Sequence, residues 1–191
     1  MTIAGSFNSV AQVQSTDAPA FTSAGELILP SDYREWVFVG TGLGMTYGPA
    51  KRAEGAPLVF DNIYVTRDAY RAFMRSGKWP DRTMFIMEGR ASESHELLAN
   101  TGQAQGEARF LEAAVKDPSR FPDTIWGYFN FGGAKAPRAS ARQIPKSFDC
   151  YTCHAQNTAV ENTFVQFYPA LFEVARKLGT VKTTYDPARK F

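Results

Sequence analysis

Cysteine and histidine are scarce in this chain, and they are gathered in one place. The 191 residues include two cysteines and two histidines, and three of those four fall within Cys150-Tyr151-Thr152-Cys153-His154. The spacing is C-x-x-C-H, the attachment signature of a c-type haem. Two thiols three positions apart can each add to a vinyl group of one porphyrin. The adjacent imidazole then falls beneath the iron as its proximal ligand. A chain that uses the motif in this way must build a pocket for one covalently bound haem c around residues 150–154.

Three other chemistries compete for the same five residues. A disulfide between Cys150 and Cys153 would close a short, strained loop with a small entropic return. A thioredoxin-like dithiol normally opens a helix after a strand in a βαβ unit, and no such unit is visible around Cys150. A structural zinc ion needs four ligands and would have to recruit the distant His95. Covalent haem is the reading that uses all three residues together.

Composition fits a globular domain with a substantial core: hydrophobic residues make up 44% and charged residues 21%. A net charge of +2 gives no reason to expect nucleic acid as a partner. No run of 18 apolar residues occurs, so membrane insertion by a helix is not expected. Aromatic residues reach 14%, with 15 phenylalanines, which suits either a haem pocket or a β-rich core. The start, Met1-Thr2-Ile3-Ala4-Gly5-Ser6, lacks the basic and apolar regions of an export signal. Haem of the c type is attached outside the bacterial cytoplasm. The expectation is therefore a periplasmic protein whose native signal peptide has been removed, with a non-native Met1.

Residues 1–24 are rich in Ser, Thr, Ala and Gly and read as a flexible N-terminal arm, leaving 25–191 as a single haem-binding domain. Ser31 and Asp32 suit the start of a short helix that ends before Gly40, with a loop from Gly42 to Gly55. Strands are expected over Leu58–Val65, Thr83–Glu88, Arg109–Lys116 and Thr124–Phe131. A helix is expected over Arg67–Arg75, stopped by Gly77. Gly132–Lys146 reads as a loop carrying Lys135, Arg138, Arg142 and Lys146. A last helix, about Val165–Leu178, places Phe167, Leu171, Val174 and Leu178 on one face. The class is α+β, mainly antiparallel β-sheet with a few helices. The late position of C-x-x-C-H and the β-rich middle exclude a small all-helical cytochrome c and a four-helix cytochrome c′.

Several stretches in order resemble the cytochrome P-460 and cytochrome c′-beta family. They begin with Gly25-Glu26-Leu27-Ile28-Leu29-Pro30 and Tyr33-Arg34-Glu35-Trp36-Val37. Ala69-Tyr70 and Gly77-Lys78 follow, then Glu112-Ala113, Val115-Lys116-Asp117 and Arg120-Phe121. The motif at Cys150–His154 and Phe167-Tyr168-Pro169 complete the set. The resemblance implies one haem, a homodimer and a periplasmic home. It also implies a division by what faces the open side of the haem. Relatives that oxidise hydroxylamine carry a lysine late in the strand matching Thr83–Glu88, cross-linked to the porphyrin edge. Aligned on that strand, the position is Met87 here, and a thioether cannot form an amine cross-link. Lys78 lies in the turn before the strand and out of register. The strand matching Leu58–Val65 can carry a basic residue in the enzymes, and here offers Asp61.

Strand alternation puts Phe85 and Met87 on one face and Met84 and Ile86 on the other. Two roles compete for Met87: sixth ligand of the iron opposite His154, or packing beside the ring as an adaptable core residue. Met45, Met74 and Met84 are rival thioethers. Phe85 would then be a steric gate, the alternative being an ordinary core residue. The resemblance places Glu112 near the distal pocket, where it could relay protons, against the alternative of an exposed strand residue. Arg138 and Arg142 are candidates to bind the haem propionates, since guanidinium pairs well with carboxylate. A solvated basic loop is the alternative, and so is docking of a small acidic redox protein. His95 reads as solvated.

The functional expectations are electron transfer, binding of nitric oxide or carbon monoxide, or oxidation of hydroxylamine or nitric oxide. The methionine at position 87 counts against the last.

Overall fold

A computed structural model describes residues 18–46, 52–94 and 101–188. The fold is α+β, as expected: one five-stranded antiparallel sheet, a two-stranded ribbon and three α-helices. The main sheet is a meander in which each strand pairs with its sequence neighbours: β2 (Val37–Leu43), β3 (Val59–Val65), β4 (Met84–Glu93), β5 (Ala104–Lys116) and β6 (Trp126–Gly132). Helix α1 (Arg67–Ser76) joins β3 to β4. The ribbon pairs β1 (Leu27–Ile28) with β7 (Ser140–Ala141), and α2 (Asp149–Asn157) and α3 (Pro169–Lys177) close the chain. Among the described residues no helix is long and apolar enough to cross a membrane.

The period-2 alternation of the strands splits the interior into two layers. Along β4, Phe85 belongs to one cluster, while Met84 and Ile86 belong to the other. Along β6, Trp126 and Tyr128 go with Phe85, and Phe129 and Phe131 go with Met84. All three helices pack on the Phe85 face. The N-terminal segment covers the Met84 face, through Leu27, Tyr33 and Trp36. Phe21 also reaches this layer, with its ring centroid 6.1 Å from Phe129 and the Arg120 guanidinium 3.8 Å above its own ring. At the edge of that layer the buried Glu88 carboxylate accepts from the Tyr33 hydroxyl at 2.9 Å and pairs with Arg34 and Arg90.

Helix α1 forms as its sequence dictates. Asp68 sits in its first turn, Arg75 in its last, and Gly77 ends it at φ 66, a left-handed conformation that costs glycine little. Three expectations need correction. The helix expected after Ser31 is a single 3-10 turn, Tyr33–Glu35, and the chain then enters edge strand β2. Gly40 and Gly42 argued against a strand there, but they serve close approach instead. A Cβ on Gly40 would stand 2.9 Å from Tyr168 Cδ1, and one on Gly42 would collide with the Met45 sulfur. The loop before the haem motif contains β7. The last helix is divided, because Pro169 cannot donate to a preceding turn: a 3-10 turn at Val165–Phe167 precedes α3. The expected strands at 83–88 and 109–116 are present but longer, running to Glu93 and from Ala104.

Candidate haem-binding site

Cys150, Cys153 and His154 lie on α2 at i, i+3 and i+4, the spacing that gathers side chains on one helix face. That face is positioned by its neighbours. Tyr151, between the cysteines, is buried and does not line the cavity. Its hydroxyl donates to the Ile144 carbonyl at 3.1 Å and accepts from Gln143 Nε2 at 2.9 Å. Its ring meets Tyr128 edge-on at 4.9 Å. Tyr151 thereby pins α2 to the loop that follows β7 and to β6. Neither cysteine is in a disulfide. The sheet is antiparallel throughout, so the βαβ unit of a thioredoxin-like dithiol does not form. His95, which a zinc site would need, lies outside the described residues, and among those described no group of three metal-ligating side chains is assembled.

The His154 ring is held by two aromatic neighbours and at one nitrogen. Tyr128 lies 4.5 Å from its centroid, and Phe164 meets it edge-on at 4.7 Å. Nδ1 is 2.8 Å from the Asn162 carbonyl. A carbonyl can only accept, so Nδ1 carries the proton and the Nε2 lone pair is free. Burial lowers the pKa of the ring to about 4, against the opposing pull of the Asn162 bond, so the imidazole is neutral at ordinary pH. A neutral imidazole with its distal nitrogen bonded to a carbonyl is the form that ligates a metal.

The loop that presents Asn162 is itself braced. Glu161 adopts a left-handed backbone, φ 49, which is unfavourable for a residue with a Cβ. Lys116 on β5 donates to Glu161 Oε1 at 3.1 Å and to the Trp79 carbonyl at 2.6 Å. Trp79 Nε1 in turn donates to Thr163 Oγ1 at 2.9 Å. Loop, sheet and the turn after α1 are thus tied together around the histidine.

Between this face of α2 and the sheet lies a cavity of about 710 Å³, within the ~300–1,000 Å³ usual for cofactor and ligand sites. Cys150, Cys153 and His154 line one side. The sheet supplies Asp61 and Ile63 from β3, Phe85 and Met87 from β4, and Glu112 and Ala114 from β5. Register explains the set: Ile63 pairs with Met87, Met87 with Glu112, and Phe85 with Ala114, so all of them point to one face. Phe164, Phe167 and Tyr168 close a further side. Phe164 and Phe167 stack at 5.6 Å, giving a flat aromatic wall.

The residues fit a haem. The lining is mainly apolar, both thiols and the imidazole face it from one helix, and it contains a buried polar atom without a partner. The Tyr128 hydroxyl has no hydrogen bond of normal geometry, and burial raises its pKa despite the nearby Asn162 side chain. The Cys150 thiol is also pushed up by burial, with the Glu112 charge adding to it.

Met87 is half-buried and faces the cavity, as alternation required, and Met45 joins it there from the segment after β2. Met84 packs in the opposite layer, and Met74 is exposed on α1. Phe85 lines the cavity and is also wedged in the core, 4.8 Å from Trp79 and 6.1 Å from Trp126. Glu112 also lines the cavity and accepts from Asn130 Nδ2 at 2.8 Å. Burial raises its pKa in spite of that bond.

Arg138 and Arg142 are not brought to the cavity. Arg138 donates to the Asn130 carbonyl at 2.7 Å, and the exposed Arg142 pairs with Glu26 at 3.0 Å. Lys135 pairs with Glu107, Lys146 with Asp123, and Lys78 is exposed. No lysine or arginine is among the described residues that line the cavity.

Asp61 is the site residue whose state sequence reasoning missed. It is only 8% exposed, and burial followed by the Glu112 charge raises its pKa to about 6. Its place in the pattern Asp61-Asn62-Ile63-Tyr64, in phase with Ile63, could have signalled an inward carboxylate. Tyr128 and Asn162 were legible only as an aromatic strand residue and a loop residue.

No curated protein matches the chain. Residues 30–165 match the family pattern described as Cytochrome P460, which spans most of the sequence and includes the C-x-x-C-H helix. The chain belongs to the cytochrome P460 family, whose members imply a haem cofactor.

Proposed function

We propose that this protein is a periplasmic monohaem c-type cytochrome acting in electron transfer, in binding of nitric oxide or another small gas, or in both. The observation that carries the reading is the single cavity shared by two walls. One presents Cys150, Cys153 and a neutral His154; the other presents a thioether at Met87 and a phenyl ring at Phe85. Cys150 and Cys153 hold the haem as thioethers. His154 Nε2 is the proximal ligand, oriented by the Nδ1–H bond to Asn162. Bound haem supplies a one-electron iron couple and, where the sixth position is open, a site for diatomic ligands.

Met87 is proposed as the distal ligand. Thioether ligation raises the reduction potential and suits electron transfer. Phe85 holds the adjoining space apolar and excludes water and larger ligands. A homodimer, which rests on the family resemblance, and a small acidic redox-protein partner, which rests on the basic loop of Lys135, Arg138, Arg142 and Lys146, belong to the same proposal.

A second reading, oxidation of hydroxylamine or nitric oxide, draws on Glu112 and Asp61. Two carboxyls with raised pKa values in one cavity could accept protons released at a substrate. The thioether in place of an amine at position 87 favours the first reading.

The absorption spectrum of the purified protein tests it. Methionine ligation gives a low-spin ferric haem with a weak sulfur-to-iron band at long wavelength, and Met87→Ala should abolish that band. An unchanged spectrum in Met87→Ala refutes the ligand assignment. A green protein with a far-red-shifted ferrous band indicates a modified porphyrin and supports the enzyme reading. Pigment lost on acid–acetone extraction refutes covalent attachment.

A further inference from the structure

We propose that Asp61 is a specificity-determining residue: its carboxylate, reinforced by Glu112, makes the cavity reject small anions and admit neutral or protonated ligands. The inference goes beyond the haem reading and rests on it, since the ligands are those that reach the haem iron.

The first observation is that Asp61 is buried without compensation. It is 8% exposed and faces the cavity from β3. No hydrogen bond or ion pair reaches it from the described residues, and its one charged neighbour of consequence is Glu112, of the same sign. Buried carboxylates are ordinarily paired, because an unpaired one loses its hydration and gains nothing in return. Elsewhere this protein follows that rule: buried Glu88 is met by Tyr33, Arg34 and Arg90, and buried Asp117 accepts from Ser119 and Arg120. Asp61 departs from it only where it meets the cavity.

The second observation is the sign of the whole lining. Asp61, Glu112 and Asp149 are its acidic members, and no lysine or arginine accompanies them among the described lining residues. The chain as a whole carries a net charge of +2, so the negative cavity is a local arrangement and not a reflection of bulk charge. Charges in a low-dielectric cleft focus the field and act on a ligand more strongly than the same charges on an open surface. Azide or nitrite entering the cavity would meet carboxylates with no cation beside them among the described lining residues. Nitric oxide would be indifferent to them, and a protonated amine could donate to Asp61.

The test compares azide, an anion, with nitric oxide, a neutral ligand, on the ferric haem-loaded protein at pH 8. Each is followed by its spectral shift. Both must displace the same distal side chain, so the ratio of their dissociation constants cancels the strength of that bond. Asp61→Asn, of the same shape without charge, should tighten azide by on the order of tenfold relative to nitric oxide. Asp61→Glu should keep the wild-type ratio. Glu112→Gln should move the ratio in the same direction by less, and serves as the test if Asp61→Asn does not fold. A ratio unchanged in both charge-removing variants overturns the inference. So does equal tightening of both ligands, which would report a wider cavity and not a charge effect. A chain without covalently bound haem would instead overturn the function proposed above.

Discussion

Replacing Asp61 by asparagine should make this protein more stable, and by an amount that depends on pH. The carboxyl titrates at about 6 in the folded chain against 3.8 for the exposed group. Each unit corresponds to about 1.4 kcal/mol, so the full shift is worth about 3 kcal/mol. The cavity is open to solvent at its mouth, and screening there reduces the figure to about 1.5 kcal/mol. The folded state binds the proton more tightly than the unfolded chain. At pH 3.5 the folded group is protonated and the unfolded one mostly so, and the site costs little. As pH rises from about 4 to beyond 6, the folded state loses stability that the unfolded chain does not.

Asp61→Asn removes the ionisation and keeps the shape. It should lie within a few tenths of a kcal/mol of wild type at pH 3.5 and exceed it by about 1.5 kcal/mol at pH 8. With a urea slope of about 2 kcal/mol per molar, the midpoint at pH 8 rises by about 0.7 M. Urea unfolding of the haem-loaded protein, kept ferrous so that the iron and the porphyrin ring core balance in charge, measures this at both pH values. A variant less stable than wild type at pH 8, or an offset that does not change with pH, would refute an unpaired, buried Asp61.

Phe85→Ala should destabilise the protein by about 3 kcal/mol, the low end for loss of a buried phenyl, because the ring borders an existing cavity and only part of its packing against Trp79 and Trp126 is lost. Thermal unfolding reads the loss, and a change below about 1 kcal/mol would show that the ring is not part of the core. Lys116→Met removes the brace on Glu161 and frees the loop that carries the Asn162 carbonyl. His154 should become a weaker donor to iron and the reduction potential should rise. An unaltered potential would show that the loop holds its position without Lys116.

The motif at Cys150–His154 was legible because its spacing is local, and any helix through it gathers the three side chains on one face. Strand alternation made the facing of Phe85 and Met87 legible too, since a pleated strand leaves two sides to choose from. Edge strand β2 was not legible: Gly40 and Gly42 read as loop residues, and only the nearness of Tyr168 and Met45 explains them. Helix α2 was also missed, because the residues that pin it, Tyr128, Gln143 and Ile144, come from the strand and loop before it.

Sequence alone determined the α+β class and pointed to a haem cofactor, because both follow from local rules of spacing and periodicity. The charge of the cavity was decided by the tertiary structure. Asp61 and Glu112 are 51 residues apart in the chain, and each by itself reads as an ordinary strand acid. Their placement on one face of β3, β4 and β5, and the absence of a counter-ion among the described lining residues, depend on register. In the same way Arg138 and Arg142 were drawn off to Asn130 and Glu26 by contacts that no local pattern contains. Electrostatic partners are chosen by distance in space, and that distance is set only when the sheet forms.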